Sequence, residues 1–505
     1  MVIKVISAAV TGLDIHKISV EVDVTNSLPQ IIIVGLGDTA ISEAKERIKL
    51  AIKNSGFEFP KTKVVINLAP ANLKKEGALY DLAMATGILA KEKIINKIPD
   101  DIAFLGELSL DGSIRPVNGV LPIVSGLKEL GIKKVILPFE NLDEASFVEE
   151  IETLGARNLG EVVLYLNEDY PLKKLKQKVD DILNIDFNFE FDFKDIKGQF
   201  HAKKALEIAA AGAHNVLMSG SPGSGKTMLA KAFCSILPPL TKNEAIELTK
   251  IYSIAGLLDL KTPLINKRPF RSPHHSASSV GITGGGTMIK PGEITLAHRG
   301  VLFLDEMPEF QRSVLEVLRQ PLEENFVTIS RAQNTVKYPA NFILIGAMNP
   351  CPCGFLGDKQ KKCICSDFQI QRYKSKLSGP LLDRIDLHIT VPRLTDEELL
   401  NVKEDKETSF DIRQRVIKAR QIQTERYKKD NIYTNSELTP KLINKYCKID
   451  EGSKQMLKGA INKFNLSARS YDRILKISRT IADLNGSNDI KTEHIAQALT
   501  FRGLN

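Results

Sequence analysis

The chain has 505 residues, 43% hydrophobic and 26% charged, with a formal net charge of +8. That composition is ordinary for a globular protein with sizeable buried cores, and the length admits two to four domains of about 150 residues. No window approaches the ~18 consecutive apolar residues of a membrane-spanning helix, and the surplus of 69 Lys and Arg over 61 Asp and Glu permits nucleic-acid binding without requiring it.

The first stretch, MVIKVISAAVTGLD, has too short an apolar run for a signal-peptide core. A cytoplasmic location is expected, where thiols stay reduced. Residues 1–170 read as one mixed α/β domain. KISVEVDV alternates Ile18, Val20, Val22 and Val24 with polar residues, as a half-buried strand does. QIIIVGLG reads as a further strand and KVVINLAP as a buried one, ISEAKERIKLAI as a helix, and Asp111-Gly112 as a hairpin turn. Gly35 to Ala40, GLGDTA, matches a dinucleotide fingerprint, but Glu58 precedes the next strand where an acid should end it. A tight strand-to-helix turn explains that stretch better. Residues 171–190 are charged and weakly patterned, a candidate linker.

A second α/β domain is expected over residues 191–395. GSPGSGKT, Gly220, Ser221, Pro222, Gly223, Ser224, Gly225, Lys226 and Thr227, fits the phosphate-loop pattern between a buried strand and a helix. Lys226 is expected to reach the β and γ phosphates of ATP, and the Thr227 hydroxyl to bind Mg²⁺. GVLFLDE sets Asp305 and Glu306 at the end of an apolar strand: Asp305 for the Mg²⁺, Glu306 to align or deprotonate the attacking water. NFILIGAMNP ends in Asn349, an amide placed to sense the γ-phosphate or its water. Two C-x-C pairs follow: Cys351 and Cys353, then Cys363 and Cys365. Four thiolates in a reducing compartment suit structural Zn²⁺ first, with an iron–sulfur cluster or no metal as alternatives. Cys234 and Cys447 sit in apolar helical patterns and read as core. His274 and His275, in FRSPHHSAS, have no carboxylate partner evident in the sequence, which suggests structure or DNA contact rather than catalysis. Residues 396–505 are expected to be helical, with Ile474, Ile477, Ile481 and Leu484 on one face.

Together these parts resemble the AAA+ ATPases, in the branch of the magnesium-chelatase ATPase subunit and the MCM helicases. The resemblance assigns Arg384, in SGPLLDRID, as an arginine finger acting on a neighbour's ATP, Asn349 as sensor 1, and Arg469 as sensor 2 with Arg473 second. A finger supplied in trans implies a ring, a homo-hexamer. FRSPHHSAS, GEITLAHRGVLFLDEMPEF, NPCPCG, SGPLLDRID and SARSYDRIL carry a closer resemblance, along the whole chain, to the ComM/YifB family. That family's role implies an ATP-driven DNA translocase or helicase promoting branch migration in natural transformation. It also implies an N-terminal Lon-protease-like domain, a central AAA+ domain and a C-terminal helical lid. Leu79 and Leu121 stand where Lon has its Ser and Lys, so the peptidase dyad is missing and a scaffold role is expected. FVTISRAQNTVKYP reads as a hairpin, and the resemblance points it into the pore, with Arg331 and Lys337 facing DNA phosphates. Arg372 and Lys374, with Lys376, form a second weak basic cluster. Competing readings are a magnesium-chelatase subunit driving metal insertion, an ATP-dependent protease or protease-derived remodelling factor, and a non-enzymatic ATP-binding regulator.

Overall fold

The computed structural model describes residues 2–35, 37–75, 77–183, 189–286, 289–330, 335–358, 360–394, 407–464 and 467–502. Two compact units emerge. Unit 1 holds residues 1–185 and 241–266, and unit 2 holds residues 186–240 and 267–505.

Unit 1 is built on eight strands: β1 (Ile3–Thr11), β2 (Asp14–Thr25), β3 (Ile31–Val34), β4 (Lys63–Ala69), β5 (Ile102–Phe104), β6 (Lys134–Pro138), β7 (Glu152–Ala156) and β8 (Lys173–Lys174). They form one mixed sheet in the order β8-β7-β6-β5-β1-β2-β4-β3. Because strand side chains alternate between faces, Val5 and Ala9 of β1 enter one apolar core while Ala8 and Ile6 enter another. The helix Asp81–Lys91 is buried from Asp81 through Leu89. KVVINLAP, read as a buried strand, is buried only at alternate residues, since β4 pairs on both edges but covers one core. Asp111-Gly112 does turn a hairpin, with Leu108 opposite Ile114. The charged segment after residue 170 is partly structured: β8 adds an edge strand to β7 through backbone bonds, which its exposed lysines do not oppose. Residues 184–188 lie outside the described residues.

The helix Lys242–Ala255 belongs to unit 1 although it follows the phosphate-loop helix in sequence. A Thr241/Glu244 capping box starts it, and Ala245, Leu248 and Ile251 are buried. Ser253 donates a hydrogen bond to the buried Glu144, which also accepts the Leu121 N–H at 2.8 Å near the start of the helix Val120–Glu129. Leu121 is fully buried and Leu79 packs against both cores, so neither offers a reactive group.

Unit 2 contains a five-stranded sheet of β9 (Val216–Ser219), β10 (Phe270–Arg271), β11 (Val301–Leu304), β14 (Ile343–Met348) and β15 (Leu387–Thr390), with a separate hairpin of β12 (Phe326–Ser330) and β13 (Thr335–Pro339). The sheet order is β10-β11-β14-β9-β15, every neighbouring pair parallel. Continuous apolar runs such as VLFL and ILIGAM are buried throughout, as a sheet covered on both faces requires. Helices make up most of the described C-terminal residues, and Ile474, Ile477 and Ile481 of Ala468–Leu484 enter the same core as the sheet. All-parallel strands bring their C-terminal ends to one edge, where ligand-binding loops of such sheets lie.

Candidate functional site

Three of those strand ends carry the expected ATP-site residues. The loop after β9 leads into the helix Lys226–Ile236, with Gly223 at φ +78 and Gly225 at φ +91. Both glycines face open space, so the loop leaves room for a ligand at the helix N-terminus. Lys226 is buried, and its ammonium donates to the carbonyls of Gly220 at 2.7 Å and Ser221 at 3.1 Å and to the Asn349 amide oxygen at 3.3 Å. Burial lowers the Lys226 pKa, against the pull of Asp305 and Glu306. The Thr227 hydroxyl donates to Asp305 at 2.9 Å. Lys226, Thr227, Asp305 and Asn349 are therefore brought together from β9, β14 and β11. The Ser224 hydroxyl is buried with no partner among the described residues. An open glycine cradle, a lysine at its mouth, an orphaned hydroxyl and a hydroxyl–carboxylate pair fit a nucleotide phosphate chain and a divalent cation. Sequence reasoning missed Gln199. Its side chain donates to the Pro392 carbonyl at 2.6 Å and the Ser224 carbonyl at 3.4 Å, tying the loop to the exit of β15. A Gly198-Gln199 turn ahead of a helix was the only signal for it.

Glu306 sits at φ +49, a left-handed conformation uncommon for a residue with a β-carbon. Its N–H donates to Asp305 at 2.9 Å and its side chain is 59% exposed. His275 corrects the sequence reading, which found no carboxylate near the histidine pair: its Nδ1 lies 3.8 Å from Glu306 Oε2. The partner comes from a strand that is adjacent in space, so the local sequence could not show it.

The three arginines fare differently. Arg384 is 9% exposed, pairs with Glu323 at 2.5 Å and donates to the Pro380 carbonyl at 2.6 Å. Arg469 is exposed in the first turn of its helix. Arg473 is bound to the buried Asp386. Burial raises that carboxyl, but Arg473 and His214 outweigh it and hold it far below the usual carboxylate range.

The four cysteines converge. Their sulfurs lie within 4.8 Å of one another. Cys351 is 3.4 Å from Cys353 and 3.7 Å from Cys363, with Cys353 to Cys363 at 3.6 Å. Zn–S bonds of about 2.3 Å imply tetrahedral S···S edges of roughly 3.8 Å, so the set fits a tetrahedral ion. Backbone N–H groups point at the sulfurs: Cys353 donates to Cys365 and Cys365 to Cys363, both at 3.4 Å. The N–H groups of Ile364 and Phe355 lower the Cys353 thiol, while the neighbouring thiols raise Cys363 and Cys365, so the cluster shares its negative charge unevenly. Cys447 is buried, and burial pushes both it and Cys234 up to about 12, as core thiols.

The predicted hairpin is present, with Thr328 opposite Lys337. Lys337 is exposed, its ammonium 3.4 Å from the centre of the Phe326 ring. Arg331 lies outside the described residues. Arg372 and Lys374 are exposed on the helix Asp367–Lys374, while Tyr373 between them is buried. Among the described residues, no helix is long and apolar enough to cross a membrane.

Family models match along the chain: magnesium chelatase subunit ChlI over residues 192–399, subunit ChlI of Mg-chelatase over residues 20–141, and the ChlI C-terminal region over residues 406–502. The competence protein ComM of Haemophilus influenzae is 43% identical over 502 residues, 99% of this chain and 97% of that protein. YifB of Escherichia coli K12, whose function is uncharacterized, is 39% identical over 98% of this chain and 96% of its own length. The magnesium-chelatase subunit ChlI of Euglena gracilis is 24% identical over 61% of this chain and 83% of its own length. Near-complete coverage in both directions, with the phosphate loop and acidic pair set in a parallel sheet, decides the matter: this chain belongs to the ComM/YifB magnesium-chelatase-like family.

Proposed function

We propose that the chain is an AAA+ ATPase of the cytoplasm that works as a homo-hexameric DNA translocase, driving branch migration of recombining or incoming DNA. The observation that carries the ATPase reading is the convergence of Lys226, Thr227, Asp305 and Asn349 at one edge of the parallel sheet. Mg²⁺ held by Thr227 and Asp305 would neutralise phosphate charge. Lys226 binds the phosphates, Asn349 orients Lys226 and the attacking water, and Glu306 takes the water's proton. Arg384 serves a neighbouring subunit's ATP once released from Glu323, and Arg469 contacts nucleotide from the lid. Structural Zn²⁺ occupies the four cysteines, and residues 1–170 form a Lon-like scaffold without peptidase chemistry.

The DNA reading rests on similarity to a protein named for competence and on the exposed Lys337 hairpin. ATPase rates with and without forked and four-way-junction DNA, together with strand displacement on the same substrates, test it. DNA-stimulated hydrolysis with displacement is expected. Hydrolysis indifferent to DNA at low salt would instead favour the metal-insertion reading, which the ChlI family matches support.

A further inference from the structure

β9 and β15 run parallel, with Leu217 opposite His388 and Ser219 opposite Thr390. Strand alternation turns these four side chains to one face of the sheet, away from Val216, Met218, Leu387 and Ile389, which enter the core of unit 2. On that face lies a cavity of about 390 Å³. Leu356 and Asp358 of the cysteine insertion wall it on one side, Lys374, Leu377 and Leu382 on another. Its remaining walls are Gly220 and Ser221, at the start of the phosphate loop, and Met348 and Pro350, which flank Asn349. Gly223, Gly225 and Lys226, which form the cradle described above, do not line it. The cavity is therefore a space behind the loop, separate from the one in front.

The walls define the occupant. Leu217 and Leu377 are buried, and with Leu356, Leu382 and Met348 they offer apolar surface. A thioether such as that of Met348 makes favourable contacts with aromatic rings. The volume lies toward the lower end of the range found for small-molecule pockets. His388 adds a ring whose Nε2 is buried with no hydrogen-bond partner among the described residues. Burial and Arg502 lower its pKa to about 4, against the carbonyls of Ile385 and Leu382 and the charge of Asp386, so it brings no charge at neutral pH. Asp358 is the one acid in the described walls, and its Oδ1 is already taken by the N–H groups of Gln360 at 2.8 Å and Lys361 at 3.0 Å. Against it stand two exposed cations at the mouth, Lys374 and Arg393. The balance is one positive charge over an apolar floor.

We propose that this cavity binds a small aromatic molecule bearing one acidic group, and that its occupancy weakens nucleotide binding. The rings lie against Leu217, Leu377 and Met348, and the anion faces Lys374 and Arg393. The coupling runs through the loop. The Gly220 N–H donates to the Met348 carbonyl at 3.2 Å, and Lys226 donates to the carbonyls of Gly220 and Ser221. For Lys226 to turn to phosphate it must leave those carbonyls, and the loop must relax around them. A molecule wedged behind Gly220 and Ser221 opposes that relaxation. The coupling rests on the ATPase reading of the site, whereas the binding itself does not.

Two dyes that brighten in apolar surroundings test this with the full-length chain: anilinonaphthalene sulfonate, and phenylnaphthylamine, which has the same rings without the acid. Titration with the sulfonate should saturate with a Kd on the order of tens of micromolar. The sulfonate should bind roughly 2- to 5-fold more tightly than the neutral dye, as an exposed charge pair allows, and Lys374→Gln should remove most of that preference. Thr390→Trp, at an exposed residue that lines the cavity, fills the space and should abolish binding of both dyes. Should that variant melt early, Leu356→Trp takes its place with the same expectation. Saturating Mg·ADP should weaken the sulfonate dye by about 5-fold or more and then have no further effect, and the dye should weaken ADP by the same factor. Unchanged dye binding in the tryptophan variant would overturn the site, and equal affinity for the two dyes would overturn the acidic ligand. Displacement by ADP without limit would put the dye in the nucleotide cradle and overturn the proposal. Dye binding as expected in a chain that binds no nucleotide would support the cavity as a site while overturning the ATPase reading and the coupling.

Discussion

Gly354 presses against Pro222 so closely that a β-carbon on it would come within 2.6 Å of the proline ring. Gly354 directly follows Cys353, and Pro222 lies in the phosphate loop, so the cysteine insertion is seated on the loop itself. A second contact reinforces it: the Ser221 hydroxyl holds the Asp358 carboxyl below its usual range. The cysteines thus do more than join Asn349 to Arg384 along the chain. They brace the loop proposed to hold phosphate.

Gly354→Ala tests the brace. At φ +84 the substitution strains the backbone as well as clashing with Pro222, a cost of about 1–3 kcal/mol. Weaker binding of a fluorescent ATP analogue is expected, by about 5- to 150-fold, with the metal content unchanged. Wild-type affinity would show that the contact yields freely.

The metal site makes a separate claim. Protein purified without chelator should carry one zinc per chain, and Cys363→Ser should lose it along with thermal stability. ATPase coupling or ring assembly should weaken although no phosphate-loop residue has changed, because four-thiolate sites contribute folding energy directly. Metal analysis that finds iron or no metal in the wild-type chain would reject zinc.

Lys226→Ala should abolish turnover. The ammonium bridges the loop carbonyls and Asn349, so its loss removes the proposed phosphate contact and frees the amide together. Steady-state hydrolysis at the background of a Glu306→Gln control is the expected result.

How much of this was legible beforehand follows from the physics of each element. β9, β11 and β14 announced themselves as continuous apolar runs, and the residues following them could be assigned by type and position. His275 could not, because its partner depends on strand register in a sheet whose edge strand is only two residues long. The Arg384–Glu323 pair was equally hidden, joining residues 61 apart in sequence. The helix Lys242–Ala255 lies inside the stretch 191–395 that the sequence suggests is one domain, and no local signal shows that it packs in unit 1. The four cysteines needed no register at all, since tight spacing brought each pair together.

Arg384 is engaged within its own chain, and that shapes the expectation for its removal. Arg384→Ala should spare ATP binding and lower hydrolysis steeply, since fingers in the systems studied contribute about 10³–10⁵ in rate. Mixing it with a Lys226→Ala chain, which lacks the phosphate lysine but keeps its own finger, should restore part of the activity if the finger acts in trans. Single-mutant assemblies that hydrolyse ATP at the wild-type rate would exclude the assignment. Glu323→Gln should leave binding intact and raise the DNA-free rate by loosening the pair that holds Arg384 back.

Unit 1 carries its own pH dependence at Asp81. This carboxylate is fully buried, accepts from Arg47 at 2.9 Å and from the Leu108 N–H at 3.3 Å, and burial nevertheless raises it from 3.8 to about 6. Because the folded-state value lies above the unfolded one, the folded chain holds this proton longer. Below pH ~4 both states are protonated and no penalty applies. As pH rises from about 4 to about 6 the unfolded chain ionises first, so stability falls, by up to about 3 kcal/mol for a two-unit shift, and then levels off. Asp81→Asn keeps one acceptor oxygen, which can take both the Arg47 Nε–H and the Leu108 N–H, but cannot ionise. Thermal unfolding of the full chain from pH 4 to 7 should therefore show the variant gaining on the wild type between pH 4 and 6, with a constant difference above. A difference that is flat across the whole range would mean that Arg47 fully offsets the burial of the charge.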